Sequence, residues 1–343
     1  MKNPRLLLIG TFPHPRGGIS VHLQRLKQAA DGAAMACSAI DESRLGKPDL
    51  PNLWAMSPLD YVRTLIAADV VHIHTSHPFL RLAHVFMARL LLRMVVVTVH
   101  SLTAPCRSAA ARLSYRLASR LAHVSVFVSE QVRAGLSGHG PVIPAFLAPA
   151  ALEEGSPAGL ASWIRKQQAE GRRVIVSNAS RLTKHQAEDL YGLDMLIECF
   201  SSPEVRERFA CLFLVSSLDG GEEYFAACSR RIADAGISPQ FLLVSEPIGF
   251  AGLLKLADVF IRATNTDGDA LSVREALWYG KRVLGSDCAS RPAGVTLFRS
   301  RNVADLRDKL LNPSVQADVS SRQDFARPLL ELYRSLNKTK LWR

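Results

Sequence analysis

The sequence predicts an α/β protein made of two Rossmann-like halves, and three observations carry that expectation. The chain has 343 residues, more than one hydrophobic core usually holds. Short apolar runs bounded by turn residues alternate with helical patterns in both halves, as in parallel sheets joined by crossover helices. A stretch rich in Ala, Pro, Gly and Glu, residues 148–171, separates the two series. Domains spanning 1–150 and 171–322 follow, with a last helix in 323–343.

Composition narrows the class. Hydrophobic residues make up 48% and charged residues 21%, which describes a globular protein rather than a disordered one. No secretory signal follows the short charged lead of residues 1–10. The most apolar region, 79–99, is broken by Arg81, Arg89 and Arg93 and makes a poor membrane span. The six cysteines, at 37, 106, 199, 211, 228 and 288, show no metal or redox spacing, so a reducing cytoplasm is the simplest home. Charge is uneven within the net +11. Residues 1–150 carry 16 Lys and Arg against 7 Asp and Glu, the remainder 26 against 24. A basic first half suits an anionic partner: nucleic acid, an anionic membrane surface or a phosphorylated acceptor.

In the first half, residues 5–9 read as a buried strand, followed by the turn Pro13-His14-Pro15-Arg16-Gly17-Gly18 and a helix over 19–30. Strand, glycine turn and helix form a phosphate-friendly arrangement, because glycines admit the backbone and helix entrances attract anions. No G-x-G-x-x-G is present, which argues against a dinucleotide site. His22 on the following helix reads as packing or surface. Strands are predicted at 68–74, 94–99 and 124–128. Side chains at the carboxyl ends of such strands are where function gathers, here His74, Thr75, Ser76 and His100. His72 faces away from Val71 and Ile73 and reads as structural. An apolar helix over 78–92 is expected to carry its arginines on one side. Arg112, Arg116 and Arg120, spaced by four, share a face of the next helix.

The second half opens with a strand over 173–177 and the turn Asn178-Ala179-Ser180-Arg181-Leu182. Strands at 212–216, 241–244 and 259–262 alternate with helices at 222–235 and 250–257, and a further helix spans 303–311. The most informative stretch is 264–287, TNTDGDALSVREALWYGKRVLGSD. It reads as a loop with Asp267, Gly268 and Asp269, a helix beginning near Ala270, Leu271 or Ser272, a glycine stop at Gly280, and a strand at 282–285. The helix entrance would leave N–H groups open to a diphosphate. Ser272-x-x-Glu275 also fits a capping box, which starts many ordinary helices. Asp267-Gly268-Asp269 is a D-x-D, a metal–nucleotide pattern elsewhere, but here it feeds a helix late in a two-part chain. The expectation is no metal and no cofactor.

An acid, seven residues, then Glu275, a small-residue helix, Gly280 and the closing strand resemble the retaining glycosyltransferases of the GT-B fold, family 4 in particular. The resemblance implies two Rossmann-like lobes with an interdomain cleft and a C-terminal helix packing back on the first lobe. It assigns the first domain to the acceptor and the second to the nucleotide sugar. It implies that Glu275 holds the donor ribose and Asp267 a sugar hydroxyl, although the family usually has Glu at that first position. It brings the Gly17-Gly18 loop to the donor phosphates, His100 to the donor sugar, and Arg181 to the diphosphate. The family's lysine falls at Tyr191, so a cation is missing there, and Lys184 is the nearest replacement. The function implied is transfer of a hexose from a nucleotide diphosphate sugar to a growing, lipid-linked bacterial saccharide, without metal and with no nucleic acid. The place implied is the cytoplasm or the inner face of the cell membrane. Two rivals remain: an inactive relative serving as an assembly subunit, favoured by Tyr191, and a nucleotide-dependent epimerase or dehydrogenase, disfavoured by the missing glycine fingerprint.

Overall fold

The computed structural model describes residues 3–13, 17–44, 46–102, 108–149, 155–312 and 323–340. The chain forms two compact units, one of Met1–Ala148 with Asp324–Arg343, the other of Pro149–Gln323. In the first the elements run β1 (Leu6–Gly10), α1 (Gly18–Gly32), β2 (Cys37–Asp41), α2 (Pro58–Ala67), β3 (Val70–Ile73), α3 (Pro78–Leu90), β4 (Met94–Val99), α4 (Ala109–Leu121), β5 (Val124–Phe127) and α5 (Glu130–Gly135). The second begins with α6 (Ala158–Ala169), β6 (Arg173–Arg181), β7 (Lys184–His185), β8 (Glu188–Asp189), α7 (Leu193–Cys199), α8 (Pro203–Arg208) and β9 (Phe209–Ser217). It continues with α9 (Glu222–Asp234), β10 (Phe241–Ser245), α10 (Phe250–Leu256), β11 (Val259–Arg262), α11 (Leu271–Trp278), β12 (Arg282–Ser286), β13 (Val295–Phe298) and α12 (Val303–Leu311). The last helix, α13 (Ala326–Lys340), belongs to the first unit.

Each unit is a parallel sheet covered by helices, ordered β2-β1-β3-β4-β5 in the first and β10-β9-β6-β11-β12-β13 in the second. The sequence explains this directly. Strands such as LLLIG and MVVVTV are apolar on both faces and every residue in them is buried, as covered parallel strands require. In the first unit α13 completes the core. Its Leu329, Leu330, Tyr333 and Leu336 join Leu6, Leu8, Val70 and Val96 in one buried cluster. The Tyr333 hydroxyl meets His72 Nδ1 at 2.6 Å, and His72 Nε2 meets Thr98 Oγ1 at 2.7 Å, so His72 is the buried structural residue its strand position indicated.

Three local expectations change. Residues 148–171 contain α6, which packs Leu160 and Ile164 against β6, so the composition there marks a helix as well as a boundary. Strand β6 runs on through Arg181, because Asn178, Ala179 and Arg181 keep pairing with β9. The arginines of α3 do not share a side. Arg81 is buried, donating to the carbonyls of Thr75 (2.8 Å) and Thr98 (2.9 Å) with its guanidinium 4.5 Å from the Tyr115 ring, while Arg89 is exposed. Arg93, just beyond, donates to the carbonyls of Leu91, Ile66 and Ala68.

Candidate functional site

At the carboxyl edge of the first sheet, α1 enters through Gly17, whose backbone is extended and whose position a side chain could occupy without meeting another atom. Gly18 is equally open. Ser20 Oγ takes the Gly17 N–H at 2.8 Å, but no acid lies in the first turn of α1, so the entrance keeps a partial positive charge that attracts an anion. Residues 14–16 of the predicted turn lie outside the described residues. Beside this entrance stand three imidazoles. His74 Nδ1 and His100 Nε2 are 2.9 Å apart, and His22 Nδ1 contacts the Ala145 carbonyl at 2.6 Å. Burial holds all three neutral, pushing His22 down to about 4 and the other two well below the ordinary histidine range. His22 is therefore buried rather than at the surface, bonded through Nδ1, with its Nε2 unpartnered among the described residues. Next to it the loop after β2 is built on Asp41, which accepts from Phe12 N (2.9 Å), Ser43 and Lys47 Nζ (2.5 Å), and on Glu42, which accepts from Thr75 Oγ1 (2.6 Å).

The second unit gathers its charged residues after β11. Asp267 accepts from Arg262 Nε (2.9 Å) and Nη2 (3.2 Å), Arg291 Nη1 (2.8 Å), Thr264 Oγ1 (3.1 Å) and its neighbour Gly268 N (3.1 Å). Desolvation opposes its charge, but the two guanidiniums outweigh it and hold the carboxyl down at about 2. Five donors exhaust the roughly four lone-pair sites of a carboxylate. A sugar hydroxyl would have to displace one of them, so Asp267 acts in this structure as the anchor of two arginines. Asp269 differs. Its Oδ1 accepts from Arg274 Nε (2.6 Å), while Oδ2 is buried with no partner among the described residues, and burial raises its pKa. That free acceptor stands just ahead of α11.

Helix α11 begins at Leu271 with Ala270 as its N-cap, no capping side chain and no acid in its first turn. The Ser272–Glu275 capping box is thereby corrected: both residues lie inside the helix, two positions too late to cap it, and both are buried. The positive entrance that Ala270, Leu271 and Ser272 were expected to form is open. Gly268 is exposed, with space for a side chain that it does not have.

Arg181 and Lys184 join this group through the backbone. Arg181 is exposed at the end of β6 and makes no side-chain bond among the described residues. Ser180 Oγ bonds the Tyr191 hydroxyl at 2.8 Å, and the Tyr191 ring lies 5.1 Å from the Arg262 guanidinium. Lys184 sits on the two-strand hairpin β7–β8, with its ammonium 5.9 Å from the Tyr224 ring. Asn265 ties the hairpin to the Asp267 loop, donating from Nδ2 to the His185 carbonyl and from its backbone to that of Leu190. Gly192 allows the close fit behind it. Its φ is +71°, and a Cβ there would lie 2.4 Å from the Ala263 carbonyl oxygen. The structure thus assembles Arg181, Lys184, Asp267, Gly268, Asp269 and the α11 entrance at one edge. Sequence reasoning missed Arg262 and Arg291. The first carried a signal, a charged residue ending the apolar strand VFIR; the second, in a polar loop, carried none.

A separate surface lies on α3 and α4. Phe79, Phe86 and Leu90 on α3, and Leu117 and Leu121 on α4, are exposed, and between the helices runs an apolar groove of about 480 Å³ edged by Arg120. Arg112 and Arg116 are exposed on the same helix, and neither helix contains an acid.

Solved structures with this architecture fix the fold class. The chain is similar to Anabaena HepE in complex with UDP and glucose, at 14% identity and a TM-score of 0.68 over 98% of both chains. It is similar to a glycosyltransferase from Rickettsia africae, at 14% identity and a TM-score of 0.73 over 98% of this chain and 99% of the other. It is also similar to sucrose-phosphate synthase from Thermosynechococcus elongatus, at 13% identity and a TM-score of 0.61 over 97% and 94%. At these identities the likeness is one of fold, and the fold is GT-B. No protein-family model matches the chain and no curated protein matches it in sequence.

Proposed function

We propose that this protein is a retaining glycosyltransferase that moves a hexose from a nucleotide diphosphate sugar to a growing, lipid-linked bacterial saccharide of exopolysaccharide, capsule or lipopolysaccharide type. The observation that carries the reading is the cationic edge of the second sheet: Arg181 exposed, Arg262 and Arg291 locked on Asp267, and the uncapped entrance of α11 beside them. Two arginines on one carboxylate leave a net positive charge, held rigidly where a leaving diphosphate needs it. Fixed charge that requires no reorganisation is the main aid to a reaction whose transition state pairs an oxocarbenium-like sugar with a departing phosphate. HepE has been solved with UDP-glucose, and the same class of donor is proposed here.

In this scheme Arg181, Lys184 and the amides of Ala270, Leu271 and Ser272 hold the diphosphate. Glu275 holds the ribose, and the free Oδ2 of Asp269 offers a sugar hydroxyl its acceptor. Asp267 serves as the positioning residue for Arg262 and Arg291. His100, neutral, takes part at the donor sugar. The acceptor hydroxyl attacks on the face the phosphate leaves, passing its proton to a phosphate oxygen. With Asp267 and Asp269 both paired to arginines, transfer is expected to persist in the presence of a chelator. The inactive-subunit reading rests on Tyr191; the Arg262 guanidinium beside that ring is the cation proposed in place of the missing lysine.

The enzyme is proposed to work at the inner face of the cell membrane, its α3–α4 surface toward the lipid. No helix among the described residues is long and apolar enough to cross a membrane. Thermal unfolding with a panel of UDP, GDP, ADP and TDP and their sugars tests the donor assignment, because a ligand of the native state raises Tm. One nucleotide should stabilise the protein, and Arg181→Gln should abolish the shift. No response to any of them would overturn the reading. Release of labelled sugar from that nucleotide separates an enzyme from an inactive binding subunit.

A further inference from the structure

His22, on α1, has its ring centroid 5.1 Å from that of His74 and 5.2 Å from that of His100, and the last two are 5.2 Å apart. One nitrogen from each ring lies within 4.8 Å of the other two. Three imidazoles on a tetrahedral ion, with metal–nitrogen bonds of about 2.0–2.1 Å and centroids about 1.2 Å behind the nitrogens, would have centroids roughly 5.2–5.3 Å apart. The observed triangle has that size, although its His74–His100 side is spanned by a direct ring-to-ring hydrogen bond of 2.9 Å, which the ion would replace by turning the two rings toward itself.

The nitrogens are also in the right state. His22 Nδ1 faces a carbonyl, so it carries the proton and Nε2 carries the lone pair; Nε2 is buried with no partner. This is the outer contact that fixes the tautomer of a metal-binding histidine. His74 Nδ1 and His100 Nε2 face each other with one proton between them, while His74 Nε2 is buried and unpartnered. Moving that shared proton to an outer ring nitrogen frees both lone pairs, and each imidazole remains neutral, so no net proton is released. His22 and His74 are 2% and 1% exposed.

We propose that His22, His74 and His100 bind one divalent cation of the zinc class, with a fourth position left for water or an anion. Neutral imidazoles suit zinc, cobalt, nickel and copper and discriminate against magnesium, calcium and manganese, which prefer oxygen. The ion is not a catalyst. Resting on the assignment of His100 to the donor sugar, its binding takes that side chain out of the reaction, so zinc inhibits transfer whereas a chelator does not.

The test titrates chelator-treated full-length protein with cobalt and with zinc. The expected result is one tetrahedral cobalt per chain, seen in its visible absorption, displaced by zinc and not by magnesium or manganese. His22→Asn keeps an amide N–H at the Nδ1 position for the Ala145 carbonyl, removes Nε2, and should weaken cobalt by more than the roughly 10–100-fold that loss of an outer partner costs. His139→Ala, an exposed loop residue, should bind as the parent does. An unchanged melting curve for His22→Asn excludes misfolding as the cause; if that variant melts early, His74→Asn provides the same comparison. No tetrahedral cobalt spectrum, or equal binding by parent and His22→Asn, overturns the site. Those outcomes leave the nucleotide response untouched, so failure of the metal site and failure of the transferase reading are distinguishable. Stoichiometric zinc binding without inhibition upholds the site and removes His100 from the sugar.

Discussion

At the scale of single residues, the chemistry of the second unit turns on a carboxylate that is fully occupied. Asp267 sits among two guanidiniums, and its pKa is depressed from 3.8 to about 2. A depressed carboxyl contributes stability above its unfolded value, and that stability is lost as pH falls from about 4 through about 2. Asp267→Asn should therefore cost about 3–5 kcal/mol at neutral pH, because it leaves Arg262 and Arg291 without their buried counter-charge. Its stability should also vary less than the parent's across the acid limb. Urea unfolding between pH 2 and 7 measures both; equal stability of the two proteins at pH 7 would show that the arginines have other partners. Glu275 gives a second residue-level prediction. It lies inside α11 and is 5% exposed, so capping no longer explains it. Glu275→Gln keeps the shape and removes a charged acceptor, and donor affinity should fall about 10–100-fold, as loss of a hydrogen bond to a charged group implies. Calorimetric titration with the nucleotide found by the panel checks it. Unchanged affinity with reduced Tm would make Glu275 a core residue.

At the scale of elements, the helix that closes the first unit offers the cleanest test. Tyr333 on α13 is fully buried and supplies the partner of His72 Nδ1. Tyr333→Phe leaves a buried ring nitrogen unsatisfied and should destabilise the protein by about 1–3 kcal/mol without affecting nucleotide binding. A fall in binding that exceeds the fall in stability would give this helix a further role. The same elements show what a sequence can and cannot reveal. Apolar strands such as MVVVTV announce themselves because a covered parallel strand is hydrophobic on both faces. Strand β2, CSAID, is an edge strand with an exposed serine and a terminal acid, and its pattern gives no such signal. The 264–287 stretch placed a loop, a helix and a strand correctly, though not the helix cap, because each has local chemistry: a D-G turn, Gly280 with φ of +66°, and the run RVLGS. The clamp on Asp267 was hidden, since Arg291 is 24 residues away in sequence and only the fold brings it to 2.8 Å. The histidine triangle was hidden for the same reason. Its members come from α1 and from the ends of β3 and β4, and no spacing rule connects them.

At the scale of the whole molecule, the net charge of +11 is concentrated in residues 1–150, and the structure narrows which cations could meet a membrane. Six arginines on and beside α3 and α4 were available to the sequence argument. Arg81 is buried, Arg93 is spent on backbone carbonyls and Arg89 is bonded to the His123 ring, so the argument falls to the exposed side chains of α4: Arg112, Arg116 and Arg120. What the sequence did not anticipate is the apolar partner of that charge, the exposed Phe79, Phe86, Leu117 and Leu121 flanking the groove. Apolar side chains flanked by arginines, with no acid on either helix, match an anionic bilayer, where rings enter the headgroup region and guanidiniums meet phosphates. Each cation near such a surface contributes about 1 kcal/mol, so the three of α4 give about 3 kcal/mol, screened within a Debye length. That corresponds to roughly a hundredfold in partitioning, enough for attachment that salt reverses. Sedimentation with vesicles of neutral lipid and of neutral lipid containing anionic lipid is the measurement. Binding should require the anionic lipid, weaken as salt is raised, fall sharply when Arg112, Arg116 and Arg120 are changed together to Gln, and also fall with Phe86→Asp, which leaves those arginines in place. If neutral and anionic vesicles bind equally, or neither binds, lipid is not what covers this face. A concentration-dependent dimer lost in Phe86→Asp would then assign the groove to a second copy of the chain.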